Sequence, residues 1–213
     1  MILHGYWRSG TSYRVRIAFA LKGVAVEQVA LDLRTGAQRG EEYRALNPQG
    51  LVPALELGEG AVLTQSPAIL EWLDEAYPAP PLLPPDPLQR AIVRSMAALV
   101  ACDIHPLNNL RVLTAIRGDF GADEESVKRW IARWTAEGFA ALEQLVAAHG
   151  RGFAFGDRTT LADCCLVPQL YAAERFGVDL SPYPRLVAAG EAARALPAFR
   201  VAHPDHQPDA DRP

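Results

Sequence analysis

Between residues 78 and 87 the chain reads Pro78-Ala79-Pro80-Pro81-Leu82-Leu83-Pro84-Pro85-Asp86-Pro87. Six prolines in ten residues remove six backbone donors and fix φ at each, so no helix interior or central strand can run through them. A fold built from this chain must break here. The composition shifts across the break: short Val-, Ile- and Leu-bearing runs alternate with helical stretches before it, and an Ala- and Leu-rich sequence at helical spacing follows. The 213 residues therefore read as two domains, 1–80 and 86–213.

The first part predicts a strand over 2–6 and a helix over 12–22, with Val15, Ile17, Ala18 and Leu21 apolar and Gly23 as its stop. A strand over 24–33 and a short helix over 41–46 follow. Residues 51–57 and 61–64 read as a hairpin across Gly58 and Gly60. Ser66-Pro67 reads as a helix N-cap followed by proline at the first helical position, with Ile69, Leu70, Trp72 and Leu73 on the apolar face. The order β-α-β then β-β-α is that of a small thioredoxin-like α/β unit, although helix-rich arrangements fit the same pattern.

After the break every segment reads as helix. One runs from 88 to about 102. Another runs over 126–148, where Val127, Trp130, Ile131, Trp134, Phe139, Leu142 and Leu145 form a stripe. Thr160-Leu161-Ala162-Asp163 is a capping-box start, whose role is folding and stability, for a helix through to Arg175 with a kink at Pro168. A last helix spans 183–195, and the polar tail over 203–213 is expected to lie loosely on the surface or fray. The fold class is thus a thioredoxin-like α/β N-terminal domain followed by an all-α domain.

Lysines and arginines number 21 against 25 acidic residues, a net charge of −4, which argues against a general nucleic-acid binder or a polybasic membrane adaptor. No apolar run approaches the roughly 20 residues of a membrane span, and residues 1–7 are too polar for a signal peptide, so the expected location is the cytoplasm. The three cysteines, Cys102, Cys164 and Cys165, all lie in the second part. The junction of first strand and first helix reads Trp7-Arg8-Ser9-Gly10-Thr11-Ser12 and has no thiol, so disulfide exchange by the chain's own cysteines is excluded there. Hydroxyls at a helix N-terminus beside an arginine favour a bound anion, and a thiolate supplied from outside is one such anion; equally, Ser9 or Thr11 can simply cap the helix.

Two further features bear on that choice. Pro53, within Asn47-Pro48-Gln49-Gly50-Leu51-Val52-Pro53-Ala54-Leu55, sits in a strand-like run, either in a cis turn that exposes the Val52 backbone or on an edge strand. Gln65-Ser66 at a helix start suits a carboxylate. A helix after His105-Pro106 would carry Arg111. Cys102-Asp103-Ile104-His105 lacks a second ligand pair, so no metal is expected. Cys164-Cys165 and the Trp130/Trp134 pair read as core, and Asp123-Glu124-Glu125 as a solvated helix start.

Several segments, in order, resemble the zeta class of glutathione transferases: Arg8-Ser9-x-x-Ser12-x-Arg14-Val15-Arg16, Asn47-Pro48-x-x-x-Val52-Pro53, Gln65-Ser66-x-Ala68-Ile69, Cys102 to Leu113, Thr160 to Asp163, Arg175 to Pro184, and Gln207-Pro208-Asp209. The resemblance implies a glutathione-binding first domain, a helical second domain that closes over a small dicarboxylate substrate, and a homodimer. Carried over position by position, Ser9 and Thr11 with Arg8 fall in the catalytic motif. Val52, before a cis Pro53, would meet the cysteinyl part of glutathione, Gln65 and Ser66 its γ-glutamyl end, and Gln49 would add a contact. Arg8 and Arg175 fall where substrate carboxylates are held, with Arg111 a third candidate.

The activity implied is glutathione-dependent cis–trans isomerisation of maleylacetoacetate to fumarylacetoacetate, with maleylpyruvate as the alternative substrate. Many relatives carry Ser-Ser-Cys or Ser-Ser-Ala where this chain has Ser9-Gly10-Thr11, which is similar to the maleylpyruvate type. A general conjugating transferase would use the same site, and a binding protein that keeps only the fold is the reading from outside enzymology. The hydroxyl and arginine cluster speaks against the latter.

Overall fold

The computed structural model describes residues 1–211. It divides into two compact units, one comprising Met1–Pro81 together with the segment from Ala195 onward, and the other Leu82–Arg194.

The first unit is built on a four-stranded sheet of β1 (Ile2–Gly5), β2 (Glu27–Ala30), β3 (Ala54–Gly58) and β4 (Ala61–Thr64), in spatial order β2-β1-β3-β4. β1 pairs parallel with β2 and antiparallel with β3, which pairs antiparallel with β4. The parallel pair requires a crossover, and α1 (Gly10–Lys22) supplies it. α1 ends at Gly23, whose φ of 65° is the left-handed conformation glycine adopts without steric cost. The β3–β4 turn at Gly58, Glu59 and Gly60 takes three positive φ values in a row. β2 is only four residues long, shorter than the run over 24–33 suggests, because it is an exposed edge with a single neighbour.

α2 (Glu41–Leu46) and α3 (Ser66–Ala76) follow the expected order. Gln65, rather than Ser66, occupies the N-cap of α3, so Ser66 and Pro67 are its first two helical residues. α1 packs on α3 and on α9 (Pro197–Ala202). Its residues from Ser12 to Phe19 are all buried, so this short helix is enclosed on all sides.

The C-terminal segment departs from the sequence reading, which placed all of 86–213 in the helical domain and let the tail fray. Residues from Ala195 group with the first unit. Gln207 is 7% exposed and donates to the Val201 and His203 carbonyls, while its own side-chain oxygen accepts from Gln28 on β2. Phe199 and Ala202 of the short α9 are buried, too few positions for apolar periodicity to register, and hydrogen bonds hold the residues beyond them. Arg212 and Pro213 lie outside the described residues.

The second unit contains α4 (Pro87–Ala98), α5 (Leu110–Phe120), α6 (Glu124–His149), α7 (Leu161–Arg175) and α8 (Pro184–Arg194). α4 runs straight into a π-helical stretch at Leu99–Ile104. α7 is its central helix: residues 161–170 are all buried, it packs on α4 and α8, and it continues as one helix through Pro168. Cys164 and Cys165 are core residues, at 0% and 1% exposure. Asp163 closes the capping box with one oxygen on the Thr160 N–H; the other accepts the Ala154 N–H and pins the preceding loop. Trp130 and Trp134 pack edge to face on α6, and Trp130 donates its indole N–H to the Leu107 carbonyl.

Candidate active site

Asn47 shapes the approach to Pro53. Its side-chain oxygen accepts the Gln49 N–H, and its amide donates to the Leu51 carbonyl at 2.6 Å. The Tyr43 hydroxyl donates to the same carbonyl, and burial pushes the Tyr43 phenol up to about 12. Gly50 has φ 62°, and a Cβ there would stand 2.9 Å from the Gln38 carbonyl oxygen, so glycine is required twice over. The chain then passes through Val52 and a cis peptide bond to Pro53. Of the two readings of Pro53, the cis turn is the one found.

The start of α1 faces this turn. Ser9 is the N-cap, and its Oγ accepts the Ser12 N–H at 3.3 Å. The Ser9 and Thr11 hydroxyl oxygens lie 2.9 Å apart, and the Thr11 hydroxyl donates to the Val52 carbonyl at 2.9 Å. Thr11 has only one proton, and Val52 takes it. Ser9 must therefore be the donor to Thr11. The result is a one-way chain: Ser12 N–H to Ser9, Ser9 to Thr11, Thr11 to Val52. Capping and site-building are thus not alternatives, since Ser9 does both.

At the start of α3, Gln65 holds φ at 67°, a positive value that costs a non-glycine residue about 1–3 kcal/mol. Its side-chain amide donates to Gln49 at 2.6 Å. Ser66 accepts from the Arg14 guanidinium at 3.3 Å. The serine hydroxyl keeps its own proton to donate, and a buried cation stands behind it, with Arg14 at 1% exposure. With the helix N-terminus, this arrangement suits a carboxylate.

Arg8 is half-buried in the first unit, its guanidinium 5.2 Å from the Trp7 ring centroid. It also adds to the field that holds the Asp32 carboxyl below its ordinary value, a shift caused chiefly by hydrogen bonds from Arg34. Arg111 and Arg175 both belong to the second unit. Arg111 is an exposed residue in the first turn of α5, which Asn109 caps by accepting the Arg111 N–H. Arg175, exposed at the end of α7, lies 4.3 Å over the Phe176 ring. Glu174, its neighbour in sequence, pairs instead with Arg194 through two hydrogen bonds. Cys102 and Asp103 are exposed on the π-helical stretch.

These motifs recur across known proteins. A family model for the glutathione S-transferase N-terminal domain matches residues 8–76, and one for the C-terminal domain matches residues 128–189. The maleylacetoacetate isomerase of Pseudomonas aeruginosa is 56% identical over 211 residues, covering 98% of this chain and 98% of that protein. A holo structure of a maleylpyruvate isomerase, described as a bacterial zeta-class glutathione S-transferase, matches with a TM-score of 0.97 at 51% identity, covering 99% of this chain and all of that one. The chain belongs to the zeta class of glutathione transferases. A maleylacetoacetate isomerase from Methylobacterium extorquens AM1, solved with malonate and glutathione bound, matches with a TM-score of 0.96 at 41% identity, each chain covered in full.

Within this zeta-class chain, the structure brings Ser9, Thr11 and Val52 into one network and Gln49 and Gln65 into another, with Ser66 tied to α1 through Arg14. Sequence reasoning assigned no role to Arg14, Asn47 or Asp209, although all three lie in the quoted motifs. An arginine among apolar residues on a helix and an asparagine opening a Pro-x-Gly turn are the signals that point to the first two. Asp209 has no local signal.

Proposed function

We propose that this chain is a glutathione-dependent cis–trans isomerase acting on maleylacetoacetate, with Ser9 as the hydroxyl that holds the cofactor's sulfur. The observation that carries the reading is the one-way hydroxyl chain ending on the Val52 carbonyl at a site with no thiol of its own. The donor set fits glutathione: hydroxyls at a helix N-terminus for a sulfur anion, a peptide before cis Pro53 for a peptide-like ligand, and Gln65, Ser66 and Gln49 for an amino-acid end.

When bound, glutathione supplies a thiolate that adds to the conjugated carbon, allows rotation about the former double bond, and leaves again. The protein's part is ionisation and orientation. Redirecting the Ser9 proton leaves Thr11 still bonded to Val52, whereas redirecting the Thr11 proton strips the Val52 carbonyl of its hydroxyl partner. Ser9 is therefore the donor to the sulfur. The N-terminal end of α1 adds its partial positive charge. Arg8 supplies a forked cation for a substrate carboxylate, with Arg175 and Arg111 as the further candidates. The malonate bound in the Methylobacterium protein fits a diacid site.

Maleylpyruvate is the second substrate, supported by Ser9-Gly10-Thr11 and by the 51% identical maleylpyruvate isomerase structure. The class resemblance further supports a homodimer. A cytoplasmic location is supported by three free cysteines, one of them exposed, and by the lack of a long apolar helix among the described residues. The test is turnover: purified protein and glutathione with either substrate, followed by loss of its ultraviolet absorbance in the presence of a hydrolase specific for the fumaryl product. Glutathione-dependent loss is expected. No turnover of either substrate by protein that binds glutathione would overturn the isomerase reading.

A further inference from the structure

The turn that delivers Ser9 to its place runs from Tyr6 to Ser9, closed by the Ser9 N–H on the Tyr6 carbonyl at 3.0 Å. Several of its backbone groups are held from outside the turn. The Tyr6 N–H reaches Ser12 Oγ. The Arg16 guanidinium, buried at 5% exposure, donates to the Tyr6 and Trp7 carbonyls, and its Nε donates to the Ala202 carbonyl. The Trp7 N–H donates to Asp209 Oδ2 at 2.9 Å, across 202 residues of sequence. Asp209 cannot drift, because Gln207 two residues before it is buried and holds Val201, His203 and Gln28 at once.

We propose that Asp209 is a positioning residue for the cofactor site: by accepting the Trp7 N–H it fixes the turn that presents the Ser9 hydroxyl. The C-terminal segment is thus part of the machinery. This inference rests on the reading of Ser9 as the hydroxyl that holds the glutathione sulfur. What Asp209 contributes is an acceptor at a fixed point. A backbone N–H held by a carboxylate makes a charge-assisted bond, stronger than a neutral one. An amide oxygen in the same place keeps the acceptor without the charge.

The test compares the wild type with Asp209→Ala, Asp209→Leu and Asp209→Asn in the full chain. Calorimetry gives the affinity for glutathione, ultraviolet absorbance of the bound thiolate gives the thiol pKa, and hydrogen exchange without glutathione reports the Trp7 and Ser9 amides. Asp209→Ala and Asp209→Leu are expected to bind glutathione on the order of tenfold more weakly, with a raised thiol pKa and faster exchange at both amides; Asp209→Asn should stay within about twofold of the wild type. Should Asp209→Ala fail to fold, Asp209→Leu, which keeps the side-chain bulk without the acceptor, and Asp209→Asn carry the comparison. Folded acceptor-less protein with wild-type affinity, thiol pKa and exchange overturns the role of Asp209 alone. A wild type that binds no glutathione overturns the site reading with it.

Discussion

Thr11 and Val52, 41 residues apart in sequence, are joined by a 2.9 Å hydrogen bond from the Thr11 hydroxyl to the Val52 carbonyl. This bond sets the direction of the hydroxyl chain, since it commits the Thr11 proton and makes Ser9 a donor. It also ties the start of α1 to the turn before Pro53.

The two hydroxyls are therefore expected to fail differently. Ser9→Ala should raise the thiol pKa of bound glutathione toward its free value and lower kcat roughly a hundredfold, the scale of losing one preorganised donor to an anion. Thr11→Val should mainly weaken glutathione binding, by about tenfold, with a smaller change in thiol pKa, and Thr11→Ser should restore it. Thiolate absorbance titration with calorimetry separates the two. Equal pKa changes in Ser9→Ala and Thr11→Val would contradict the one-way chain.

Arg8 is expected to act on the substrate rather than on the cofactor. Arg8→Ala should raise the KM for the diacid about thirtyfold or more, the cost of leaving a carboxylate without its forked partner, with the KM for glutathione nearly unchanged. Arg8→Lys should recover only part of the loss, because an ammonium cannot make the paired contact. Steady-state kinetics varying each ligand in turn checks this, and Arg111→Ala and Arg175→Ala in the same assay show which of them shares the load.

Asp163 gives the stability of the fold a pH dependence of definite sign. Its carboxyl is fully buried, and burial pushes it up to about 6 from 3.8, against hydrogen bonds from Ala154 and Thr160 that favour the charged form. Between those two values the folded protein holds a proton that the unfolded chain has released. Its contribution is complete below about pH 3.8, is lost as pH rises toward 6, and is level above that, by at most about 3 kcal/mol. The stability difference between wild type and Asp163→Asn should shrink from pH 4 to pH 6.5. Denaturant melts at several pH values measure it, and a pH-independent difference would refute the assignment.

Two helical glycines should respond to alanine to different degrees. A Cβ on Gly138 of α6 would lie 2.3 and 2.4 Å from two side-chain carbons of Ile104, a branched residue at 0% exposure. Gly138→Ala is expected to destabilise by about 1–3 kcal/mol through overpacking. At Gly190 the severe contact is with the tip of Leu170 alone, at 2.3 Å. There the roughly 1 kcal/mol gain in helix propensity should offset most of the strain. Thermal melting of the two variants side by side is the check.

The sequence by itself determined what is local. The proline run breaks the chain, Gly23 stops α1, Thr160 and Asp163 start α7, and a hydroxyl of Ser9 or Thr11 caps α1, because caps and turns depend on residues a few positions apart. The missing thiol at the head of α1 was equally plain and pointed to a borrowed one. Only the tertiary structure decided that Arg14 stands behind Ser66, that Glu174 answers Arg194 and not the adjacent Arg175, and that Asp209 holds Trp7. These partners lie 52, 20 and 202 residues apart. A hydrogen bond of that span leaves no period, cap or turn signal along the chain; it exists because folding brings a distant donor and acceptor together, in the interior for Arg14 and Ser66 and at the surface for Glu174 and Arg194.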